Sequence, residues 1–242
     1  MKTKSVASLI AGTGLLIATA PAFAVTIDGV TFPTTSGPHT FAGTITENTV
    51  TTPGQELTGD GLITTVDGST DFCSTSGCQL TYEFGGFNLE EITFPEDADD
   101  NTGNARFSGG YVNFYVNGDR ENPWLTTEAD IERGSEYTLE GFLTNGGTDQ
   151  AQNTAVGLLS VTGGSAASIF DNDSYENGAG GLSDLLFNTS LSPSGDMEFT
   201  GSADAHYVSS PSEVPEPSDL SLLGLGLALI GFGAAYRRRQ NG

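Results

Sequence analysis

Oxygen ligands suited to a metal ion are clustered in two short acidic segments, residues 96–101 and 171–177. Carboxylate and amide oxygens at short range are the ligands that Ca²⁺ prefers. Neither segment is an EF-hand, because positions six and twelve, counted with Asp97 as the first, are Thr102 and Ser108 instead of Gly and Glu. We predict a candidate Ca²⁺ site in these loops, with a solvated acidic surface as the alternative, and expect no other cofactor. The candidate ligands are Asp97, Asp99, Asp100, Asn101, Asp171, Asp173 and Glu176.

Common catalytic motifs are absent from the sequence, including G-x-S-x-G, H-E-x-x-H and a G-x-G-x-x-G that follows a strand. The two histidines, His39 and His206, are 167 positions apart, so a Ser-His-Asp site would have to assemble in space. Glycoside hydrolysis needs only two carboxylates and stays open as an alternative, because acids are abundant. We expect that the protein is not an enzyme.

The single tryptophan, Trp124, lies near Tyr111 and Tyr115 in the chain. Such aromatic side chains form either a platform for sugar rings or part of a core. The sequence leaves both readings open.

The charge of the chain is strongly negative: 8 basic and 31 acidic residues give a formal net charge of −23. Between Val25 and Glu213 there are 29 acids, three arginines and no lysine, a net charge of −26. This excludes nucleic acid and anionic lipid surfaces as electrostatic partners. It also excludes mechanisms that require a lysine amine in this region.

Alternation of apolar and polar residues predicts β-strands throughout the middle of the chain. Leu80, Tyr82 and Phe84 share one face, and a second strand over 112–116 ends at the tight-turn pair Asn117-Gly118. Only 127–133 looks helical. Frequent turn pairs favour an all-β domain, which we predict to be an antiparallel, jelly-roll-like β-sandwich. Further strands are predicted at 41–46, 61–66, 137–143, 156–162 and 197–203.

Cys73 and Cys78, the only two cysteines, precede the Leu80 strand. In an exported protein an isolated pair at this spacing most simply forms a disulfide across a turn. Half of a zinc site is the rival interpretation, but there is no second cysteine pair to complete four ligands.

Residues 1–24 have the composition of a secretory signal peptide. Two lysines precede an apolar run, and small residues at Ala22 and Ala24 mark a cleavage site for signal peptidase. We predict a mature chain that begins at Val25. An uncleaved membrane anchor is the alternative.

The C-terminal end contains a polar linker, 209–213, followed by an apolar segment, 220–236, and by arginines. Seventeen helical residues span roughly 25 Å, which is just long enough to cross a bilayer core. The arginines should stay cytoplasmic as a stop-transfer signal, which places the acidic body outside the inner membrane. An ordinary membrane anchor is the alternative. The arginines are Arg237, Arg238 and Arg239. A short motif lies between the linker and the apolar segment and consists of Val214, Pro215, Glu216 and Pro217.

These three parts in this order, over residues 214–242, resemble the PEP-CTERM sorting signal of Gram-negative bacteria. The resemblance implies that the chain is the substrate of an exosortase, a membrane-embedded cysteine peptidase that removes the tail during export. Stretches between Gln55 and Trp124 also resemble parts of some PEP-CTERM ectodomains, which implies a secreted β-rich module and no particular activity.

We therefore expect a signal peptide (1–24), an ectodomain (25–208), a linker (209–213) and a sorting signal (214–242). The expected function is that of a non-catalytic protein of the cell surface or extracellular matrix, transiently anchored in the inner membrane and associated with extracellular polysaccharide. A calcium- or glycan-binding adhesion module and a secreted carboxylate-dependent glycan hydrolase are the alternatives.

Overall fold

The computed structural model describes residues 24–33, 37–73, 76–94, 102–132, 134–144, 153–194 and 198–209. Within these ranges no helix is long and apolar enough to span a bilayer. Residues 1–23 of the predicted signal peptide, the motif 214–217, the apolar segment 220–236 and the basic tail 237–239 lie outside the described residues.

The described residues form fourteen strands and one short helix. The first seven strands are β1 (Ala24–Ile27), β2 (Val30–Pro33), β3 (Gly37–Asn48), β4 (Glu56–Val66), β5 (Leu80–Thr93), β6 (Gly103–Ser108) and β7 (Tyr111–Val116). The remaining elements are β8 (Leu125–Asp130), β9 (Leu139–Leu143), β10 (Asn153–Gly163), α1 (Ala167–Phe170), β11 (Tyr175–Glu176), β12 (Leu182–Ser183), β13 (Leu185–Pro193) and β14 (Glu198–Ser209).

The long strands close into an eight-stranded antiparallel barrel. With β6 and β7 counted as one interrupted strand, and β8 and β9 as another, the ring runs β3, β4, β5, β6/β7, β8/β9, β10, β13 and β14, and β14 returns to pair with β3. The all-β, antiparallel prediction is confirmed. The expected two-layer, jelly-roll-like sandwich is replaced by a closed ring, because β10 pairs with β13 and so leaves no open edge between layers.

Two of the eight strand positions in the barrel are each occupied by two short strands: β6 and β7 at one position, and β8 and β9 at the next. β6 and β7 both run antiparallel to β5 and are separated only by Gly109 and Gly110, whose φ angles are 69° and 109°. Glycine tolerates these left-handed conformations without a Cβ penalty. At the next strand position, β8 pairs with β7 and β9 pairs with β6. On their other side, β8 and β9 both pair with β10.

Two inward glycines on β4 make room for aromatic rings. Gly59 pairs with Phe84 and Gly61 pairs with Tyr82, both on β5. A Cβ at either glycine would overlap the partner ring and a β3 carbonyl oxygen. The rings therefore occupy the space that side chains on β4 would otherwise take.

Aromatic side chains fill one end of the barrel. Phe170 of α1 lies 4.7 Å from Tyr207 and 5.2 Å from Phe32, measured between ring centroids. Trp124 and Phe41 complete the cluster, which is fully buried. Because these rings interlock, this end of the barrel is closed by packing.

The hairpin of β1 and β2 covers this closed end. It turns at Asp28-Gly29, with φ angles of 51° and 88°, the signature of a two-residue hairpin turn. Phe32 is the residue of the hairpin that enters the aromatic cluster. The Asp-Gly pair was a usable hairpin signal in the sequence.

The disulfide between Cys73 and Cys78 is present, with Cα atoms 5.3 Å apart. It borders the β1–β2 hairpin, since Cys73 forms a bridge with Val30. This pairing was predicted and is confirmed. The disulfide thereby links Cys73, which bridges to the hairpin, to Cys78, which lies just before β5.

The helix predicted at 127–133 is wrong, because Leu125–Asp130 form strand β8. Leu125 and Thr127 face the interior, and the strand has partners on both sides in β7 and β10. Tertiary pairing therefore overrides the local helical pattern. The predicted strands 41–46, 61–66, 80–84, 112–116 and 156–162 all lie within observed strands.

Candidate functional site

The second acidic segment contributes to a cluster of three carboxylates. Oxygen atoms of Asp171, Asp173 and Asp184 all lie within 4.8 Å of one another. Asp171 and Asp173 were predicted ligands, whereas Asp184, which comes just before β13, was not. Three carboxylates at this range can supply oxygen ligands to a hard cation such as Ca²⁺.

Asp184 is buried and is already well satisfied by main-chain donors. Its Oδ1 accepts hydrogen bonds from the amides of Asn172 (2.6 Å) and Asp173 (2.7 Å), and its Oδ2 accepts one from Val161 (2.7 Å). These bonds hold the 171–174 loop against β10. Asp184 therefore has a structural role in this cluster. The carboxylates of Asp171 and Asp173 are exposed and are the groups that could bind an ion.

The other predicted calcium ligands do not join this cluster. Glu176 is exposed on the short strand β11 and is not a member of the three-carboxylate group. The four candidates of the first acidic segment, Asp97, Asp99, Asp100 and Asn101, lie outside the described residues.

Both histidines participate in hydrogen bonds between barrel elements. His39 Nδ1 donates to Oδ2 of Asp67 at 2.6 Å, which ties β3 to the β4 turn, and the His39 ring stacks on Tyr207. His206 Nδ1 lies 3.0 Å from the hydroxyl of Thr40 on the neighbouring strand. These contacts support the sheet at the closed end.

Of the two interpretations that the sequence left open for Trp124, the structure shows burial in a core. Trp124 is 0% exposed, and Tyr115 is also buried, while Tyr111 alone of the three reaches the surface. Burial in the aromatic cluster leaves the indole unable to stack on a sugar.

The open end of the barrel contains a cavity of ≈ 370 Å³. It lies at the end opposite the aromatic cluster, where β3 ends, β4 begins and β10 begins. Its volume falls in the range of small-molecule sites in proteins. The apolar part of the wall includes Leu57, Phe84, Phe87, Phe107, Leu139 and Leu191.

Among the described residues that line this cavity, Glu47 is the only acid. It follows Phe41, Gly43 and Ile45 on the inward face of β3, and its neighbour across the sheet on β14 is Phe199. Desolvation raises the pKa of Glu47 to about 8, although the side chain keeps some contact with solvent. At neutral pH this carboxyl group is therefore mostly protonated and can donate a hydrogen bond.

A second carboxyl group with a raised pKa belongs to Glu132, which lies just after β8. Burial, with a smaller contribution from the charge of Glu140, raises the pKa of Glu132 to about 7. Its Oε1 atom is buried and has no hydrogen-bond partner among the described residues. Glu132 does not line the cavity.

Sequence reasoning missed Asp184 and Glu47 for different reasons. Asp184 lies 11 positions after Asp173, and nothing in the sequence signals that the chain returns to the loop. Glu47 had a usable signal, because it continues the period-two inward series of Phe41 and Ile45.

Comparisons of the chain with protein-family models, with curated proteins and with solved structures find no match. The functional conclusion therefore depends on the residues and geometry of this chain.

Proposed function

We propose that the chain is a non-catalytic, exported protein of the cell surface or extracellular matrix. A signal peptidase removes residues 1–24, the tail anchors the chain transiently in the inner membrane, and an exosortase-like peptidase processes the tail at 214–217. The barrel is the part delivered to the extracellular polysaccharide layer.

The observation that supports this proposal is that the barrel strands lie between the two predicted processing sites in the sequence. The first strand pair that survives cleavage after Ala24 is Val25 with Phe32. The last strand, β14, ends at Ser209, five residues before Val214. Both cuts therefore leave every barrel strand complete.

Two further properties support export. The Cys73–Cys78 disulfide is of the kind that persists in oxidising compartments. The high negative charge keeps such a module soluble and mutually repelling in a crowded matrix.

Intact-mass measurement on the protein from its native host, in separate membrane, matrix and medium fractions, tests the proposal. We expect a species outside the inner membrane that begins at Val25 and ends near Pro215–Pro217. A double variant, Pro215→Ala with Pro217→Ala, should accumulate in the membrane with its tail intact. Pro211→Ala, in the linker, is the matched control and should be processed normally. A wild-type species that ends at Gly242 in the membrane would overturn the sorting proposal in favour of a plain anchor.

Calcium binding is the second candidate function, favoured by the three-carboxylate cluster. Ca²⁺ would offset repulsion between Asp171 and Asp173 and should raise the melting temperature. Asp171→Asn with Asp173→Asn should remove that increase, whereas Asp119→Asn, in a surface turn, should not. Identical melting with Ca²⁺ and with a chelator would exclude the site.

The hydrolase alternative has less support from the geometry. Glycosidases place two carboxyl groups on either side of the scissile bond. In the part of the chain that the structure describes, only Glu47 is an acid among the residues that line the cavity. Turnover on a broad polysaccharide panel, lost in Glu47→Gln, would restore this alternative.

A further inference from the structure

The cavity at the open end of the barrel has the construction of a small-molecule site. An eight-stranded barrel has an interior just wide enough either to be filled by side chains or to hold one small ligand. Here both arrangements occur in one barrel: the closed end is filled by rings, and the open end keeps ≈ 370 Å³. At roughly 30 Å³ for each water-sized group, this space suits about twelve non-hydrogen atoms.

The wall of the cavity specifies a ligand that is mostly apolar. Phenylalanine and leucine side chains of β4, β5, β6, β9 and β13 surround the space. Such a wall gains free energy by excluding water, and the gain is roughly proportional to the apolar area buried on a ligand. The lining residues that the structure describes include no lysine, arginine or histidine.

Several polar side chains interrupt the apolar wall, and three of them, Glu47, Thr189 and Asn153, bear on the choice of ligand. The carboxyl group of Glu47 has no hydrogen bond or ion pair within the part of the chain that the structure describes. The hydroxyl of Thr189 is buried and likewise has no partner among the described residues. Asn153, buried on β10, lies opposite Leu191 of β13. A buried polar group without a partner is costly, so a polar ligand atom at this place would be stabilising.

The charge of the site argues against ionic ligands. A carboxylate head group would have no cationic partner among the described lining residues and would be repelled by the negative charge of the chain. An amine head group would first require ionisation of Glu47, which desolvation opposes. A neutral hydroxyl or carbonyl group is not repelled by the negative charge and does not require Glu47 to ionise.

We propose that the open end of the barrel binds one small, uncharged amphiphile, whose apolar part fills the cavity and whose hydroxyl or carbonyl oxygen accepts a hydrogen bond from Glu47. This inference goes beyond the proposed function, since sorting to the matrix requires no ligand. It makes the barrel a carrier or receptor for a molecule of the alcohol, ketone or ester class.

Three ten-carbon probes that differ only in the head group test the ligand class: 1-decanol, decanoate and decylamine. They are titrated by calorimetry, at neutral pH, into the exported protein purified from its host without detergent. We expect 1:1 binding of 1-decanol and binding at least about tenfold weaker for the two ionic probes. Equal affinity for all three, or preference for decylamine or decanoate, would overturn the proposed class.

A cavity-filling variant tests the location. Gly141 faces the cavity from β9, and a Cβ there would have its nearest neighbours at 3.6 Å, which is ordinary contact. Gly141→Leu should therefore fold, keep its unfolding midpoint and lose at least about tenfold in 1-decanol affinity. The adjacent Phe142, 47% exposed, faces outward, and Phe142→Leu is the matched control.

Ala155→Leu, on the neighbouring strand, is a second cavity-filling variant if Gly141→Leu does not fold. Unchanged affinity in a folded filling variant would refute the location.

Two substitutions of Glu47 test the hydrogen bond. Glu47→Gln keeps a donor of similar shape, so 1-decanol affinity should fall by no more than about threefold. Glu47→Leu removes the donor, so affinity should fall about tenfold and preference for 1-decanol over decanoate should shrink. Equal affinity in the leucine and wild-type proteins would show that Glu47 does not bind the head group. Sorting is measured separately by intact mass, so failure of this inference leaves the proposed function untouched.

Discussion

The indole nitrogen of Trp124 donates a hydrogen bond to the main-chain carbonyl oxygen of Ile27, with 3.2 Å between nitrogen and oxygen. This bond joins the aromatic cluster to the β1–β2 hairpin, which covers the closed end of the barrel. It explains why the single tryptophan is inaccessible, and it gives that residue a structural role that the sequence left undecided.

Replacing Trp124 with Ala should destabilise the protein by about 3–5 kcal/mol, the usual cost of truncating a buried large aromatic residue. The variant also leaves the Ile27 carbonyl without its donor. Urea denaturation followed by circular dichroism measures the loss. Phe142→Ala, at an exposed position, should cost less than about 1 kcal/mol. Similar losses for both variants would contradict the assignment of Trp124 to the core.

Glycine should be required at one inward position of the barrel and dispensable at another. Gly61→Ala places a Cβ against the ring of Tyr82 and the carbonyl oxygen of Thr44, so we expect about 1–3 kcal/mol of destabilisation. Gly141→Ala meets only ordinary contacts and lowers the entropy of the unfolded chain, so it should be neutral or stabilising by up to about 1 kcal/mol. Denaturation midpoints compare the two. The reverse order would mean that β4 and β5 are not packed as described.

Stability should depend on pH through Glu47. Its pKa is about 8 in the folded protein and has an ordinary value of 4.5, so folding takes up a proton between these limits. The free energy of unfolding should therefore fall as pH rises from about 4.5 to about 8, by at most about 1.4 kcal/mol per pH unit, and then level off. Glu132, with its pKa raised to about 7, adds a dependence of the same sign.

Comparison with Glu47→Gln isolates the contribution of Glu47. The variant cannot ionise at this position, so its stability should fall less steeply over the same pH range, and the Glu132 contribution remains in both proteins. Denaturation at pH 5, 6, 7, 8 and 9 provides the two curves. Parallel curves would show that Glu47 titrates normally.

Asp184 should matter for stability with or without calcium. Asp184→Ala removes the acceptor of three main-chain amides, and we expect a loss of about 3 kcal/mol or more in the presence of a chelator. Asp171→Asn should be close to neutral under the same conditions, because Asp171 is exposed. Thermal melting in chelator compares them. If Asp184→Ala lost stability only when Ca²⁺ is present, the main role of the cluster would be to bind a metal ion and not to hold the loop.

Local sequence patterns identified much of the fold because they reflect which face of a strand is buried. Leu80, Tyr82 and Phe84 alternate because one face of β5 meets the core, and Asn117-Gly118 marks a turn because both residues adopt positive φ angles. The Cys73–Cys78 pairing followed from the sequence, because these are the only two cysteines and they are close in the chain.

The candidate sites were less visible in the sequence, because they depend on contacts between distant segments. Residues 127–133 contain a helical pattern, yet hydrogen bonds to β7 and β10 make Leu125–Asp130 a strand. Asp184 meets Asp173 only because β13 starts beside the 171–174 loop. The choice between sandwich and barrel was made by the pairing of β10 with β13, which no local pattern records.

The sequence by itself determined the antiparallel all-β class, the disulfide and the acidic character, since strand alternation, cysteine spacing and charge are local properties. Only the tertiary structure decided that the sheet closes, that Trp124 is buried and that Glu47 lies in a cavity. The physical reason is that closure and burial depend on which strands meet across the barrel, and desolvation of a carboxyl group depends on everything packed around it.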